Sequence, residues 1–295
     1  THAFSQLSAV NYMQWRSAMN HLQYRMGELR DHSGLNNGAW IRAYNGKDKY
    51  GSQDVKNTYY GFQAGYDHRL EGTNILVGGA VSYAHGDSDF RVGDGNNYNY
   101  HFTGYGTWLA DNGLFLDGTF KVGRLSNDVT MNALSTAGAG KASYETNAFS
   151  VSAELGWRFN WQERAYIEPQ AEIMYGRINS ADYTFREISV TAESVESTVG
   201  RLGLQTGFTC PSKKGGAYLR ASVLHDFQGT TRTRFATASR STTISEDLGD
   251  TWYELGIGAN YNLTDTTYFY ADVNYAAGGE VESPWRWSIG VRHAF

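Results

Sequence analysis

Trp285-Arg286-Trp287-Ser288-Ile289-Gly290-Val291-Arg292-His293-Ala294-Phe295 carries the clearest periodicity in the sequence. Taken alternately, Trp285, Trp287, Ile289, Val291 and Phe295 fall on one face, and Arg286, Ser288, Gly290, Arg292 and Ala294 fall on the other. That is the period of two that a strand imposes. His293 is the one polar break in the apolar face. Arginines facing into a soluble sheet need partners, whereas the lumen of a membrane barrel is wet and its outer face meets lipid. The strand therefore reads as apolar outward and polar inward. Its competitor is an ordinary closing strand of a soluble β protein.

Composition favours the membrane. The 295 residues include 34 Gly, 21 Tyr, 14 Phe and 8 Trp but only 3 Pro, which suits many strands with abundant aromatic surface. A mean hydropathy of -0.50 is compatible with a barrel, because half of every barrel strand faces water. No run of about 18 apolar residues occurs, so no helix of the chain spans a membrane. The start lacks a basic segment followed by an apolar core and reads as a mature or excised fragment without its export signal. A net charge of -5 argues against a nucleic-acid partner, which needs concentrated Lys and Arg. The single cysteine, Cys210 beside Pro211, forms no internal disulfide.

Upstream the chain changes period once. From Phe4 to Arg30 apolar residues recur mostly at steps of three and four (Leu7, Val10, Met13, Trp15, Met19, Leu22, Met26, Leu29), which predicts a helix about 40 Å long. Polar Asn11, Gln14, Asn20, Gln23 and Arg25 are spread around it, suiting a wet, narrow channel. After Gly38 the period is two, in twelve segments: 38 to 46, 56 to 69, 74 to 86, 96 to 110, 113 to 126, 144 to 160, 164 to 178, 197 to 209, 215 to 227, 250 to 263, 266 to 278 and 285 to 295. Many are longer than the roughly 5 or 6 residues of a soluble strand and fit the roughly 9 to 11 of a tilted membrane strand with extensions.

Connections alternate strictly. Those at 70 to 73, 111 to 112, 161 to 163, 210 to 214 and 264 to 265 are short, and those at 47 to 55, 87 to 95, 125 to 143, 178 to 196, 228 to 249 and 276 to 284 are long. Outer-membrane barrels have short periplasmic turns and longer external loops. Both strand termini then lie at the periplasmic end, so the preceding helix reaches the outside only by running up through the pore. An even strand number closes the sheet, which lipid requires. The expected fold is a 12-stranded antiparallel transmembrane β-barrel with an N-terminal α-helix inside the pore: 1–34 pore helix and linker, 35–295 barrel.

The chain resembles the translocator domain of type Va autotransporters. The resemblance is carried by Asn20-His21-Leu22-Gln23-Tyr24-Arg25-Met26-Gly27-Glu28-Leu29-Arg30-Asp31, Gly38-Ala39-Trp40, Ala153-Glu154-Leu155-Gly156-Trp157-Arg158, Ile167-Glu168-Pro169-Gln170-Ala171-Glu172, Gly200-Arg201-Leu202-Gly203 and the aromatic terminus, in that order. It implies a bacterial outer-membrane location amid lipid and lipopolysaccharide, and a monomer. It also implies export of an N-terminal passenger, with barrel-assembly machinery and periplasmic chaperones as partners and Trp287 and Phe295 as the assembly signal. In the serine-protease branch the barrel also releases its passenger. An Asn in the pore helix, followed by a second Asn, cyclises and breaks its own backbone beside acidic wall residues. The first position matches Asn20, the second is His21, and the acids match Glu154 and Glu172, with Asp117 a third where loop lengths differ nearby. The structural alternative is that these acids pair with Arg158, Arg201, Arg220 and Arg292, or with Arg25 and Arg30 on the helix.

Other chemistry is thin. Eight histidines, at 2, 21, 32, 68, 85, 101, 225 and 293, show no metal-ligand spacing, and no cofactor is expected. Gly256 and Gly258 fall in a strand, where they relieve crowding on the lumen side. Tyr98, Tyr100 and Phe102, and Tyr268 and Tyr270, read as girdle or lumen aromatics rather than sugar platforms. Arg232, Arg234 and Arg240 fall in what reads as a solvated flexible loop, with lipopolysaccharide phosphates as the alternative ligand. Three functions compete: a translocator, a translocator that cleaves itself, and a general outer-membrane pore or adhesin barrel. The nature of the passenger stays open.

Overall fold

The chain, as a computed structural model, is described for residues 2–17, 36–50, 54–132, 138–212 and 214–295. Among the described residues a helix, α1 (His2–Ser17), precedes seventeen strands: β1 (Gly38–Tyr50), β2 (Val55–Arg69), β3 (Ile75–Phe90), β4 (Gly93–Leu109), β5 (Leu114–Met131), β6 (Gly140–Trp157), β7 (Phe159–Trp161), β8 (Ala165–Ile178), β9 (Ala181–Phe185), β10 (Ile188–Ala192), β11 (Val195–Thr209), β12 (Gly215–Asp226), β13 (Thr230–Ala236), β14 (Ser241–Asp247), β15 (Thr251–Asn262), β16 (Thr267–Ala277) and β17 (Val281–Ala294). Twelve of them, β1 to β6, β8, β11, β12 and β15 to β17, pair antiparallel into a closed barrel, with short β7 appended to β8. Closure runs β17 to β1, from Gly38 opposite Ala294 to Tyr50 opposite Val281.

The barrel is inside out relative to a soluble protein. On β17 the exposed side chains are Trp285 (37%), Trp287 (41%) and Ile289 (54%), while Arg286 (9%), Ser288 (2%) and Arg292 (2%) are buried. On β6 the outward series runs Phe149, Val151, Ala153, Leu155, Trp157, and becomes polar beyond Phe149 at Asn147, Glu145 and Ser143. From Phe149 to Trp157 the tilted strand climbs about 20 Å, close to the ~25 Å apolar band of an outer-membrane barrel. Tyr100 and Phe102 face outward in this surface, whereas Tyr268 and Tyr270 line the lumen. Lumen aromatics fit because glycines face them: a Cβ on Gly258 would stand 2.2 Å from the Tyr218 ring.

The long connections differ from expectation. The strands on that side continue past the apolar band, so that β3 ends at Phe90 and β4 begins at Gly93. The stretch 228 to 249 is no flexible loop: it forms the hairpin β13–β14, which joins the hairpin β9–β10 in a second sheet of order β14-β13-β10-β9. The reason is burial. Thr231, Thr233 and Phe235 turn inward while Arg232 and Arg234 turn out. The inward face covers α1, whose Leu7, Ala9, Val10 and Met13 share one apolar core with Val190, Phe235, Leu248, Phe90 and Met131. This collar surrounds the helix above the apolar band.

Candidate functional site

Every side chain described between Gln6 and Trp15 of α1 is buried, and polar contacts fix its direction. Near its start, Ser8 meets Thr233 of the outer sheet at 3.2 Å. One turn on, Asn11 donates to the Tyr144 hydroxyl at 2.6 Å and accepts from Asn127. Tyr12 donates to Asp226, which also accepts from Ser197 (2.6 Å) and from the main-chain N–H groups of Thr198 (3.2 Å) and Gln228 (3.0 Å). Burial pushes the Tyr12 hydroxyl above a phenol's usual value and keeps it a donor. At the lower end, the Lys121 ammonium lies 4.0 Å from the Trp15 ring centroid, and the Arg16 guanidinium lies 3.5 Å over Trp252. Trp252 neighbours outward-facing Tyr253 on β15, so Trp15 and Arg16 stand level with the outer aromatic girdle, in the mouth of the pore; the expected continuation of the helix to Arg30 lies outside the described residues.

Below the level of Trp15 and Arg16 the wall carries an acidic row. Strand register sets Thr107 opposite Asp117, Asp117 opposite Glu154, Glu154 opposite Glu172 and Glu172 opposite Arg201. Arg201 hydrogen-bonds Glu154, holds Glu172 at 3.5 Å and reaches Gln170 (3.0 Å) and Ser222 (3.1 Å). Arg220 adds a second contact to Glu154 at 3.4 Å, and Asp117 accepts from Thr107. Glu154 (3%) and Arg201 (2%) are buried in the lumen wall, where an unpaired charge costs far more than at the surface.

The three acids singled out in the sequence thus come together, and Arg201 and Arg220 join them. Arg158 does not. It pairs with Glu168 at 3.3 Å and stacks 3.6 Å from Tyr166. Arg292 forms a two-pronged pair with Asp67 (2.6 and 2.8 Å), backed by Tyr105, which donates to Asp67 at 2.6 Å and accepts from Trp40 at 2.8 Å. This network crosses the closing seam from β17 to β2 and uses Gly38, where a Cβ would stand 2.5 Å from Arg292. Trp287 faces lipid, and Phe295 stacks on Tyr66 at the short-turn end. Asn20, His21, Arg25 and Arg30 lie outside the described residues. The sequence reading missed Tyr12, Asp226 and Tyr144; an acid at an inward position on the last residue of a strand was the available signal for Asp226. Among the described residues no group of His, Cys, Asp and Glu side chains is placed to hold a metal.

A lipid-facing barrel whose outer mouth is filled by the helix preceding its first strand is an outer-membrane protein of the plugged-pore class. An autotransporter β-domain family model matches residues 39–274. The pertactin autotransporter of Bordetella parapertussis is 32% identical over 292 residues, 95% of this chain and 31% of the relative. The β domain of the Bordetella autotransporter BrkA superposes with a TM-score of 0.73 at 25% identity, covering 88% of this chain and all of that one. The translocator domain of autotransporter NalP from Neisseria meningitidis, at 15% identity, shares the fold over 99% of this chain and 98% of that one (TM-score 0.74). The chain belongs to the autotransporter β-domain family and is an outer-membrane translocator barrel. It spans about a third of the length of the pertactin relative.

Proposed function

We propose that this translocator exports and displays an N-terminal passenger, with residues 1–34 serving as pore segment and linker and 35–295 as the barrel. The direction of α1 carries the reading: its start packs under the outer sheet at Thr233 and its end points into the lumen at Trp252, so upstream chain leaves the barrel on the outer side. In this account periplasmic chaperones and the barrel-assembly machinery handle the nascent barrel, with the Trp287 to Phe295 strand as the signal they read. The barrel works as a monomer among lipid and lipopolysaccharide, and no cofactor, metal or nucleic acid enters its action. An epitope fused ahead of His2 tests this on intact cells. Protease sensitivity of the epitope without outer-membrane permeabilisation is expected, and protection until permeabilisation contradicts it.

A second reading is favoured by the adjacency of Asp117, Glu154 and Glu172 in one cross-strand row. The Asn20 side-chain nitrogen attacks its own main-chain carbonyl, closing a succinimide and releasing the amine of His21, while wall carboxylates orient the amide. Intact mass of a longer chain decides. A break after Asn20 that disappears in Asp117→Asn, Glu154→Gln or Glu172→Gln variants supports release, and an uncleaved product excludes it. Arg25 and Arg30 are proposed to hold the pore segment against the wall that carries Arg158 and Arg201.

A further inference from the structure

Just above the apolar band, a barrel's outer wall meets lipid headgroups. Over part of that ring cations are neutralised within the protein: Arg124 pairs with Glu145, and Arg177 with Glu196 at 3.6 Å. The closing seam is different. Lys47 and Lys49 point outward on β1, alternating with inward Gly46, Asp48 and Tyr50, and Lys56 points outward on β2. Register places Lys49 directly opposite Lys56. Like charges so placed repel. Glu282 stands across β17 from Lys49, and Asp89 across β3 from Lys56, yet among the described residues none of the three lysines forms an ion pair. Beneath them the face turns apolar: Trp285 lies across from Lys47, and exposed Tyr60, Phe62 and Ile41 continue down the wall.

Cations at headgroup height, aromatic rings at the interface and aliphatic surface at acyl depth match one kind of molecule. We propose that the β17–β1–β2 seam binds a phosphorylated glycolipid of the outer leaflet, its phosphates bridging Lys47, Lys49 and Lys56 and its acyl chains lying over Trp285, Tyr60 and Phe62. A bridging phosphate turns the Lys49–Lys56 repulsion into attraction and ties β1 to β2 beside the barrel's closure. The proposal rests on the outer-membrane location and leaves the passenger's nature open.

The test is native mass spectrometry of the full chain in detergent, titrated with bisphosphorylated lipid A, dephosphorylated lipid A, phosphatidylglycerol or inorganic phosphate. Lipid A is expected to bind at one molecule per barrel. Binding should weaken about 100-fold in the Lys47→Gln/Lys49→Gln/Lys56→Gln variant and stay unchanged in Lys141→Gln, an exposed cation at the outer end of β6. Equal retention by the triple variant overturns the site. So does equal binding of dephosphorylated lipid A, phosphatidylglycerol or free phosphate. Heat-modifiable mobility of each variant monitors barrel folding separately, so a folding defect is not mistaken for lost binding.

Discussion

Replacing Arg201 by Met probes the acidic row most sharply, because Met keeps much of the length and removes the charge. Glu154 and Glu172 are direct cross-strand partners, which puts their Cβ atoms about 5 Å apart. Two carboxylates about 5.5 Å apart repel by about 3 kcal/mol at an effective dielectric near 20. In the native barrel Arg201 answers both, with side-chain exposures of 1% for Arg201, 3% for Glu154 and 8% for Glu172. Arg201→Met therefore loses the pairs and leaves the repulsion, a cost of about 3–5 kcal/mol for breaking a buried network. Urea unfolding in lipid vesicles, followed by tryptophan fluorescence, reads that loss. The Arg201→Met/Glu154→Gln/Glu172→Gln variant should regain at least half of it, because neutral side chains no longer repel. A loss under about 1 kcal/mol for the single variant, or a triple variant as unstable as the single, contradicts a charge-balancing role for Arg201.

Tyr12→Phe removes one donor to Asp226, a hydrogen bond to a charged group worth about 1.5–3 kcal/mol. Amide exchange in residues 6 to 15 should rise about 10- to 100-fold while the barrel strands stay protected; unchanged exchange contradicts a stabilising role for the Tyr12–Asp226 hydrogen bond. The Arg124 guanidinium, by hydrogen bond first and charge second, holds the exposed Glu145 carboxyl below its usual value. Its contribution is thus present at neutral pH and lost as pH falls through that lowered value. Carboxyl carbon shifts read by NMR should show the depressed titration, and Arg124→Ala should return it to an ordinary glutamate value; no return contradicts the pairing. Gly258→Val drives a branched side chain into the Tyr218 ring and should cost about 1–3 kcal/mol, read by vesicle unfolding. Tyr218→Ala in the same chain should recover part of it, and an additive double loss contradicts the contact.

How much of this was legible depended on which solvent a residue faces. Trp285 and Trp287 alternate with Arg286 and Ser288 because lipid and lumen water lie on opposite sides of one strand, a contrast that local sequence records directly. Strand number and closure follow from that alternation, whereas Asp117, Glu154 and Glu172 are singled out by the resemblance to a family. The collar follows from neither. Thr231, Thr233 and Phe235 alternate with Arg232 and Arg234 in what reads as loop composition, and their burial arises only because α1, more than 200 residues earlier in the chain, fills the space they enclose. Phe90 and Gly93 flank a tight turn far above the lipid, where no membrane enforces the pattern. Pairings across several strands were equally hidden: that Arg158 takes Glu168 and Arg292 takes Asp67 is set by barrel register and curvature, not by spacing along the chain.

Single-channel conductance reports whether the N-terminal helix occupies the pore of the translocator barrel. Twelve tilted strands at about 4.8 Å spacing enclose a backbone cylinder about 24 Å across, leaving a lumen about as wide as one helix. The intact chain in planar bilayers should therefore conduct poorly, and deletion of residues 1 to 30 should raise conductance several-fold. Equal conductance with and without those residues, in barrels shown by heat-modifiable mobility to be folded, would contradict the account and favour a general outer-membrane pore.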